Sequence, residues 1–155
     1  MRETPRSGVY VKLQNSSKMK HHDLMLLRYM NVQSGNGFSV DKDLNGYNPT
    51  REAYAVGGAA DSVEMMDNNL LSYNAFRYTM ELLIEFMEKN ERYFRNVDPL
   101  GNYQQVIGAW VNDDNYAYIE VSDIVFDREE AIALGREREE EAIWDFKNDC
   151  EIKLT

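Results

Sequence analysis

One segment in the second half of the chain constrains the fold more than any other. Residues 106–111 (VIGAWV) and 116–121 (YAYIEV) are rich in the β-branched and aromatic side chains that favour strands. A polar segment of hairpin length, residues 112–115 (NDDN), separates the two runs. The pattern predicts an antiparallel β-hairpin, on which a small sheet can be built.

A long amphipathic helix upstream of this hairpin is the second strong prediction. Ser72 can cap a helix of about residues 73–94, because its hydroxyl can accept a hydrogen bond from a free backbone N–H of the first turn. Large apolar side chains recur there at the spacing of one helix face. They are Phe76, Met80, Leu83, Ile84 and Met87. We expect this face to be buried.

Shorter elements complete a predicted α+β fold. A second helix, rich in acids, is expected from its N-cap Asp127 to about Glu141. The expected architecture is a small, mostly antiparallel sheet with one long helix packed on it and this second acidic helix. The other expected elements are a helix at 21–30 and strands at 9–13, 38–40, 53–56, 142–146 and 151–154. Since the chain has 155 residues, of which 43% are hydrophobic, we expect a single domain over 1–155, with 1–7 as a flexible lead.

The negative charge of the chain is concentrated near its C-terminus. The net charge is −10, and residues 113–151 hold fourteen acidic side chains against four basic ones. Such a surface repels nucleic acid and anionic membranes, so we expect neither as a direct partner. A basic protein, in particular one that itself binds nucleic acid, is the favoured partner. The acids expected to bind it are Asp113, Asp114, Glu120, Asp123, Glu137, Glu139, Glu140 and Glu141.

Several functional classes lack the residues that they need. The sequence contains no glycine-rich phosphate loop, no nucleophile elbow and no Cys/His metal spacing. We therefore expect a protein that is not an enzyme and needs no cofactor. The sequence shows no secretory signal, and Cys150 has no second cysteine with which to form a disulfide, so we expect a cytoplasmic location.

Residues 41–52 satisfy the pattern of a calcium-binding loop. Its oxygen ligands would be Asp41, Asp43, Asn45, the Tyr47 carbonyl and a bidentate Glu52. The segment resembles an EF-hand loop, which requires a helix on each side. Glycine-containing breaks at 34–37 and 57–58 argue against both helices, so we expect a polar turn between two strands and no metal. A calcium-binding regulatory module stays open as the alternative.

Two stretches, together about half of the chain, carry a set of short motifs. The first contains Gly37–Asp41, Asn48–Thr50 and Tyr54–Gly57; the second contains Gly108–Trp110, Tyr118–Val121, Phe126–Ala131 and Ala142–Asp145. These stretches resemble a family of small accessory proteins encoded by phages, prophages and other mobile elements. The resemblance implies an accessory protein of a mobile element and no catalytic residues.

Charge and resemblance together give the leading functional hypothesis. The protein would bind a basic, nucleic-acid-binding host protein, such as a nuclease of a restriction or CRISPR system. It would inhibit that protein by presenting an acidic surface in place of nucleic acid, as an anti-restriction or anti-CRISPR DNA mimic does. The alternatives are the calcium-binding module and a structural or replication-related phage protein whose acidity maintains solubility. The sequence leaves the oligomeric state open.

Overall fold

The computed structural model describes residues 17–59, 64–90 and 104–154, which form an α+β fold, as predicted. The described helices are α1 (Ser17–Gln33), α2 (Tyr73–Asn90) and α3 (Arg128–Glu137). The described strands are β1 (Phe38–Val40), β2 (Tyr54–Val56), β3 (Glu64–Asp67), β4 (Gln105–Val111), β5 (Tyr116–Val125), β6 (Ala142–Asp145) and β7 (Cys150–Lys153). The predicted lead of 1–7, the predicted strand at 9–13 and the end of the predicted helix, 91–94, lie outside the described residues.

All seven strands join one sheet, in which every pair of neighbours is antiparallel. The order is β1-β4-β5-β2-β6-β7, and β3 also pairs with β5. The central strand β5 pairs with β4 along one edge, which confirms the predicted hairpin. On its other edge, the first half of β5 pairs with β3 and the second half pairs with β2. Because β5 is ten residues long and pairs with β4, β3 and β2, it joins the two ends of the sheet.

Side chains alternate between the two faces of β5, and helices cover one of them. We call the covered side the helix face. There Ala117, Ile119 and Val121 pack with α1 and α2 in the main apolar core. The predicted stripe of α2 is confirmed, because four of its five residues are buried and the fifth packs against the same core: Phe76, Met80, Leu83, Met87 and Ile84. We call the opposite side, which carries Tyr116, Tyr118 and Glu120, the open face.

Helix α3 covers the other end of the helix face and is shorter than the sequence suggested. The Asp127 carboxylate accepts a hydrogen bond from the Glu130 N–H at 2.9 Å, which confirms the predicted N-cap. The helix ends at Glu137, although the sequence predicted an end near Glu141. A Cβ on Gly135 would lie 2.6 Å from Leu154 Cδ1, so this glycine allows α3 to approach the last strands closely.

Candidate functional site

The structure separates the eight acids expected to form one partner surface into three groups. Two lie in an exposed turn, two are buried within β5, and four surround the C-terminal end of α3. In that order they are Asp113 and Asp114, then Glu120 and Asp123, then Glu137, Glu139, Glu140 and Glu141. The three groups differ in burial and in bonding, and therefore in what they can do.

Asp123 is fully buried on the helix face, so the expectation that it contacts a partner is wrong. Its carboxylate accepts hydrogen bonds from Arg138 Nη2 at 2.5 Å and from Gln105 Nε2 at 3.0 Å. The same guanidinium donates to the carbonyl oxygens of Val56 at 3.3 Å and Gly57 at 3.0 Å. This buried ion pair ties the end of α3 to β2 and β5, which is a structural role.

Glu120 is 5% exposed, so it too lies out of reach of a partner, contrary to expectation. It sits on the open face, where Oε1 accepts a hydrogen bond from the Gly58 N–H at 3.1 Å. Burial raises the pKa of this carboxyl to about 7, and the nearby Glu140 raises it further, while the Gly58 hydrogen bond opposes the shift. Glu120 therefore exchanges a proton near neutral pH.

Glu140 reaches the same place from the turn that follows α3. A Cβ on Gly57 would overlap carboxylate oxygens of both Glu120 and Glu140, so both side chains occupy the space that this glycine leaves. Burial raises the pKa of Glu140, the neighbouring Glu141 adds to the shift, and the cation of Arg138 opposes it. The two carboxyls therefore lie against the same glycine, and the charge of Glu140 contributes to the raised pKa of Glu120. Among the described residues, no group of three or more His, Cys, Asp or Glu side chains is placed to hold a metal ion.

The remaining acids at the end of α3 are exposed: Glu137, Glu139 and Glu141. The helix ends in a Schellman motif, in which the Glu140 N–H donates to the Gly135 carbonyl at 2.9 Å. Glu139 occupies the left-handed position of this motif with a φ of 59°. At the end of α1 the equivalent position is Gly35, with a φ of 83°. The motif thus contains a glutamate where α1 has the residue that fits without strain.

The turn pair lies at the other end of the sheet. Asn112 Oδ1 holds the β4–β5 turn by accepting hydrogen bonds from the N–H groups of Asp114 and Tyr116, both at 2.9 Å. Asp113 and Asp114 are exposed. Tyr116, next to this turn, and Glu120 are four residues apart in β5, which at about 3.3 Å per strand residue is roughly 13 Å. The turn pair and the acids at the end of α3 therefore do not form one continuous surface.

The segment 41–52 forms a turn between β1 and β2, as predicted. Asp41 Oδ1 accepts hydrogen bonds from the N–H groups of Asp43 at 2.8 Å and Asn45 at 3.0 Å, so it stabilises the turn itself. The guanidinium of Arg28 donates to the Leu44 carbonyl at 3.1 and 3.0 Å. This cation beside the loop opposes the binding of a second cation.

The side chains at the end of the calcium pattern make other contacts. The Tyr47 hydroxyl donates a hydrogen bond to Gln104 Oε1 at 2.6 Å, and the Tyr47 ring packs edge-on against Phe146 at 5.0 Å. Glu52 Oε2 accepts a hydrogen bond from the Tyr54 hydroxyl at 2.9 Å. The carboxylates of Asp41 and Glu52 are therefore both engaged in hydrogen bonds within the protein.

Sequence analysis missed a flat aromatic surface on the open face. The rings of Trp110 and Tyr118 are nearly parallel, with centroids 5.1 Å apart and an interplanar angle of 3°. Trp110 is paired with Tyr118 in the β4–β5 register, which places both side chains on one face. The sequence holds one indication of this surface: Tyr116 and Tyr118 are two residues apart in β5, a spacing that places both side chains on the same face of a strand.

Comparisons of the chain with protein-family models, with curated proteins and with solved structures find no match. Within the described ranges, no helix combines the length and apolar character that crossing a bilayer requires.

Proposed function

We propose that this protein is a non-enzymatic accessory protein of a phage or other mobile element, which binds and inhibits a basic, nucleic-acid-binding host protein. The binding surface is the exposed acidic group at the end of α3: Glu137, Glu139 and Glu141. The protein acts in the cytoplasm, where the exposed thiol of Cys150 stays reduced.

The main support for this proposal is the position of these acids, because carboxylates at that position lower the stability of the folded protein. The C-terminal end of a helix has a partial negative charge, so a carboxylate in the last turn, such as that of Glu137, is unfavourable by about 0.3 to 1 kcal/mol. Glu139 adds the cost of a left-handed backbone, about 1 kcal/mol for a residue with a Cβ. Among the residues that the structure describes, none forms an ion pair with Glu137, Glu139 or Glu141. Charges kept at such a cost favour a role in binding.

The difference between the buried Asp123 and the exposed acids supports the same interpretation. The carboxylate of Asp123 is neutralised by Arg138, so its charge serves the fold. The exposed group has no such compensation and projects a negative field into solvent. A field of this sign attracts the groove with which a host protein binds nucleic acid phosphates, and occupying that groove inhibits the host protein.

Capture from a bacterial host lysate, followed by competition with nucleic acid, tests the proposal. We expect the parent to retain a basic nucleic-acid-binding protein that is released by salt and by excess DNA or RNA. A variant with Glu137→Gln, Glu139→Gln and Glu141→Gln, called the triple Gln variant below, should retain much less of it. A matched control replaces three exposed acids of α2, with Glu81→Gln, Glu85→Gln and Glu88→Gln. Equal capture by the parent and the triple Gln variant would contradict the proposal.

A further inference from the structure

The open face at the hairpin end of the sheet carries a row of large exposed side chains. Trp110, Tyr118 and Met65 lie side by side on β4, β5 and β3, because each is the register partner of the next. Trp110 is 43% exposed and Met65 is 52% exposed. Tyr116, 38% exposed, lies on the same face two residues before Tyr118 in β5. The helices pack on the opposite face, so this row meets solvent.

One face of the Trp110 indole stacks on Tyr118. The other face is therefore directed away from β5 and toward the β1 side of the sheet. Its neighbour there is Gly37, whose ideal Cβ would lie 3.6 Å from Trp110 Cα. Gly108 lies two residues before Trp110 in β4, and a Cβ on it would meet only the Phe38 carbonyl oxygen, at 4.0 Å. Neither glycine places a side chain beside the indole ring, and we call the space next to the ring and these two glycines the Trp110 slot.

The three strands that carry the aromatic row, β3, β4 and β5, contain acids and no basic residues. Asp67 is the register partner of Tyr116 at the end of the aromatic row, and the exposed Asp113 and Asp114 lie in the adjoining turn. Acids at this end of the sheet attract a cation, and a planar guanidinium stacks on an aromatic ring better than an ammonium group does.

We propose that the Trp110 slot receives an arginine side chain of the basic partner. This inference rests on the proposed function, because it names the contact that the same partner makes outside the exposed group at the end of α3. A nucleobase could also stack on Trp110, but the acids at this end of the sheet repel its phosphates. A second copy of this chain would bring the same acids against each other. The charges therefore favour an arginine-bearing protein segment.

Titration with two short peptides tests the slot directly. Trp144→Phe leaves Trp110 as the single tryptophan, so fluorescence of that protein reports on the slot. We expect hexa-arginine to change Trp110 emission and to bind about fivefold more tightly than hexa-lysine, because both peptides carry the same charge but a guanidinium stacks better. Calorimetry provides the affinities of variants that lack Trp110.

Two variants and one control separate stacking from general attraction. Trp110→Ala should remove the preference for arginine and leave the affinity for hexa-lysine unchanged. Gly108→Val should do the same with the indole intact, because its side chain enters the slot and its Cβ is only in van der Waals range of the Phe38 carbonyl oxygen, at 4.0 Å. Tyr78→Ala is the matched control, since Tyr78 is an aromatic residue of α2 that is 64% exposed on another part of the molecule. It should leave both affinities as they are.

The outcomes distinguish failure of the slot from failure of the proposed function. The proposal is overturned if neither peptide binds the parent, if both peptides bind it equally, or if both slot variants keep the preference for arginine. The triple Gln variant should keep that preference, because its substitutions lie at the other end of the sheet. If it loses the captured host partner while Trp110→Ala and Gly108→Val retain that partner fully, the slot is wrong and the proposed function stands. If the slot variants lose the partner and the triple Gln variant does not, the acidic group is wrong and the slot stands.

Discussion

Strand β5 passes through two environments on the same face of the sheet. Ile119 and Val121 belong to the apolar core beneath α1 and α2. Two residues farther on, Asp123 is equally buried but is held by the guanidinium of Arg138 at the end of α3. On this face the first half of the strand is held by apolar packing alone, and the second half combines a charge pair with the packing of Val125. Strand alternation therefore determines which face a residue occupies, but not what covers it.

The two halves also differ in how much apolar surface supports them. The core under α1 and α2 contains large side chains such as Phe76 and Met80, both fully buried. The cluster under α3 is smaller and consists of Tyr54, Val56, Val125, Ala131 and Ile143. A third cluster, with Ile124 at its centre, packs on the opposite face of this half. Because apolar packing on the helix face is less extensive under α3, we expect this half to depend more on its buried ion pair.

Removing the buried carboxylate should therefore produce the largest effect. Asp123→Ala leaves the Arg138 cation without its partner at a site where the carboxylate is fully buried. We expect the free energy of unfolding to fall by about 3 to 5 kcal/mol, measured by urea denaturation. Asp114→Ala is the matched control at an exposed turn position and should change it by less than about 0.5 kcal/mol. Similar values for the two variants would show that the α3 half does not depend on the pair.

Substitutions of two adjacent leucines in α2 test how much the apolar core under α1 and α2 contributes to stability. Leu83 is 5% exposed and Leu82 is 48% exposed. Leu83→Ala should lower the free energy of unfolding by about 2 to 5 kcal/mol through lost burial and the cavity that remains. Leu82→Ala should lower it by about 0.5 kcal/mol or less. If chemical denaturation gives the two substitutions the same cost, the assigned core face of α2 is wrong.

Protonation of Glu120 should make the stability of the protein depend on pH. The pKa of Glu120 is about 7 in the folded protein against about 4.5 in the unfolded chain, so the folded state holds a proton that the unfolded chain has released between these values. Stability should therefore fall as pH rises through this window, by up to about 3 kcal/mol if Glu120 acts alone. Glu120→Gln should flatten this profile, leaving the protein more stable than the parent at about pH 8 and similar to it well below about pH 4.5.

Thermal unfolding across this pH range measures the effect. Glu137→Gln is the matched control, because that side chain is exposed and lies at the end of α3. It should leave the shape of the profile unchanged. A parent profile that does not decline between about pH 5 and 7 would contradict the raised pKa of Glu120.

The smallest predicted effect is a gain in stability. Glu139→Gly relieves the left-handed backbone at the end of α3 and removes a carboxylate from the negative end of the helix. We expect a gain of about 1 kcal/mol and a higher melting temperature. Glu139→Gln removes the charge but keeps the backbone strain, so it should gain less. If neither substitution raises the melting temperature, the argument that this acid is kept at a cost to the fold loses its basis.

The elements predicted well are those whose signals are local. The hairpin of β4 and β5 and the apolar face of α2 follow from spacings within single segments. The end of α1 is also readable, because Gly35 occupies its left-handed position. The end of α3 is not, because Glu139 stands where a glycine would have signalled the stop.

The candidate site could be predicted only in part, because burial of an acid depends on distant residues. Glu137, Glu139 and Glu141 are exposed, as the charge pattern suggested. Asp123 is buried because its partner Arg138 comes from a different element, fifteen residues away. Glu120 is buried beside Gly57, which lies in another strand region and leaves the required space. No feature near either acid in the sequence indicates these contacts.

The central claim is that the acids of this region divide into those that maintain the fold and those that bind a partner. The most direct test is the association rate with the captured basic partner, measured against salt concentration for the parent, Glu120→Gln and the triple Gln variant. We expect the triple Gln variant to associate more slowly and with a weaker salt dependence, at an unchanged or slightly higher melting temperature. Glu120→Gln should match the parent rate while its pH profile of stability changes. A triple Gln variant with the rate and salt dependence of the parent would contradict the claim.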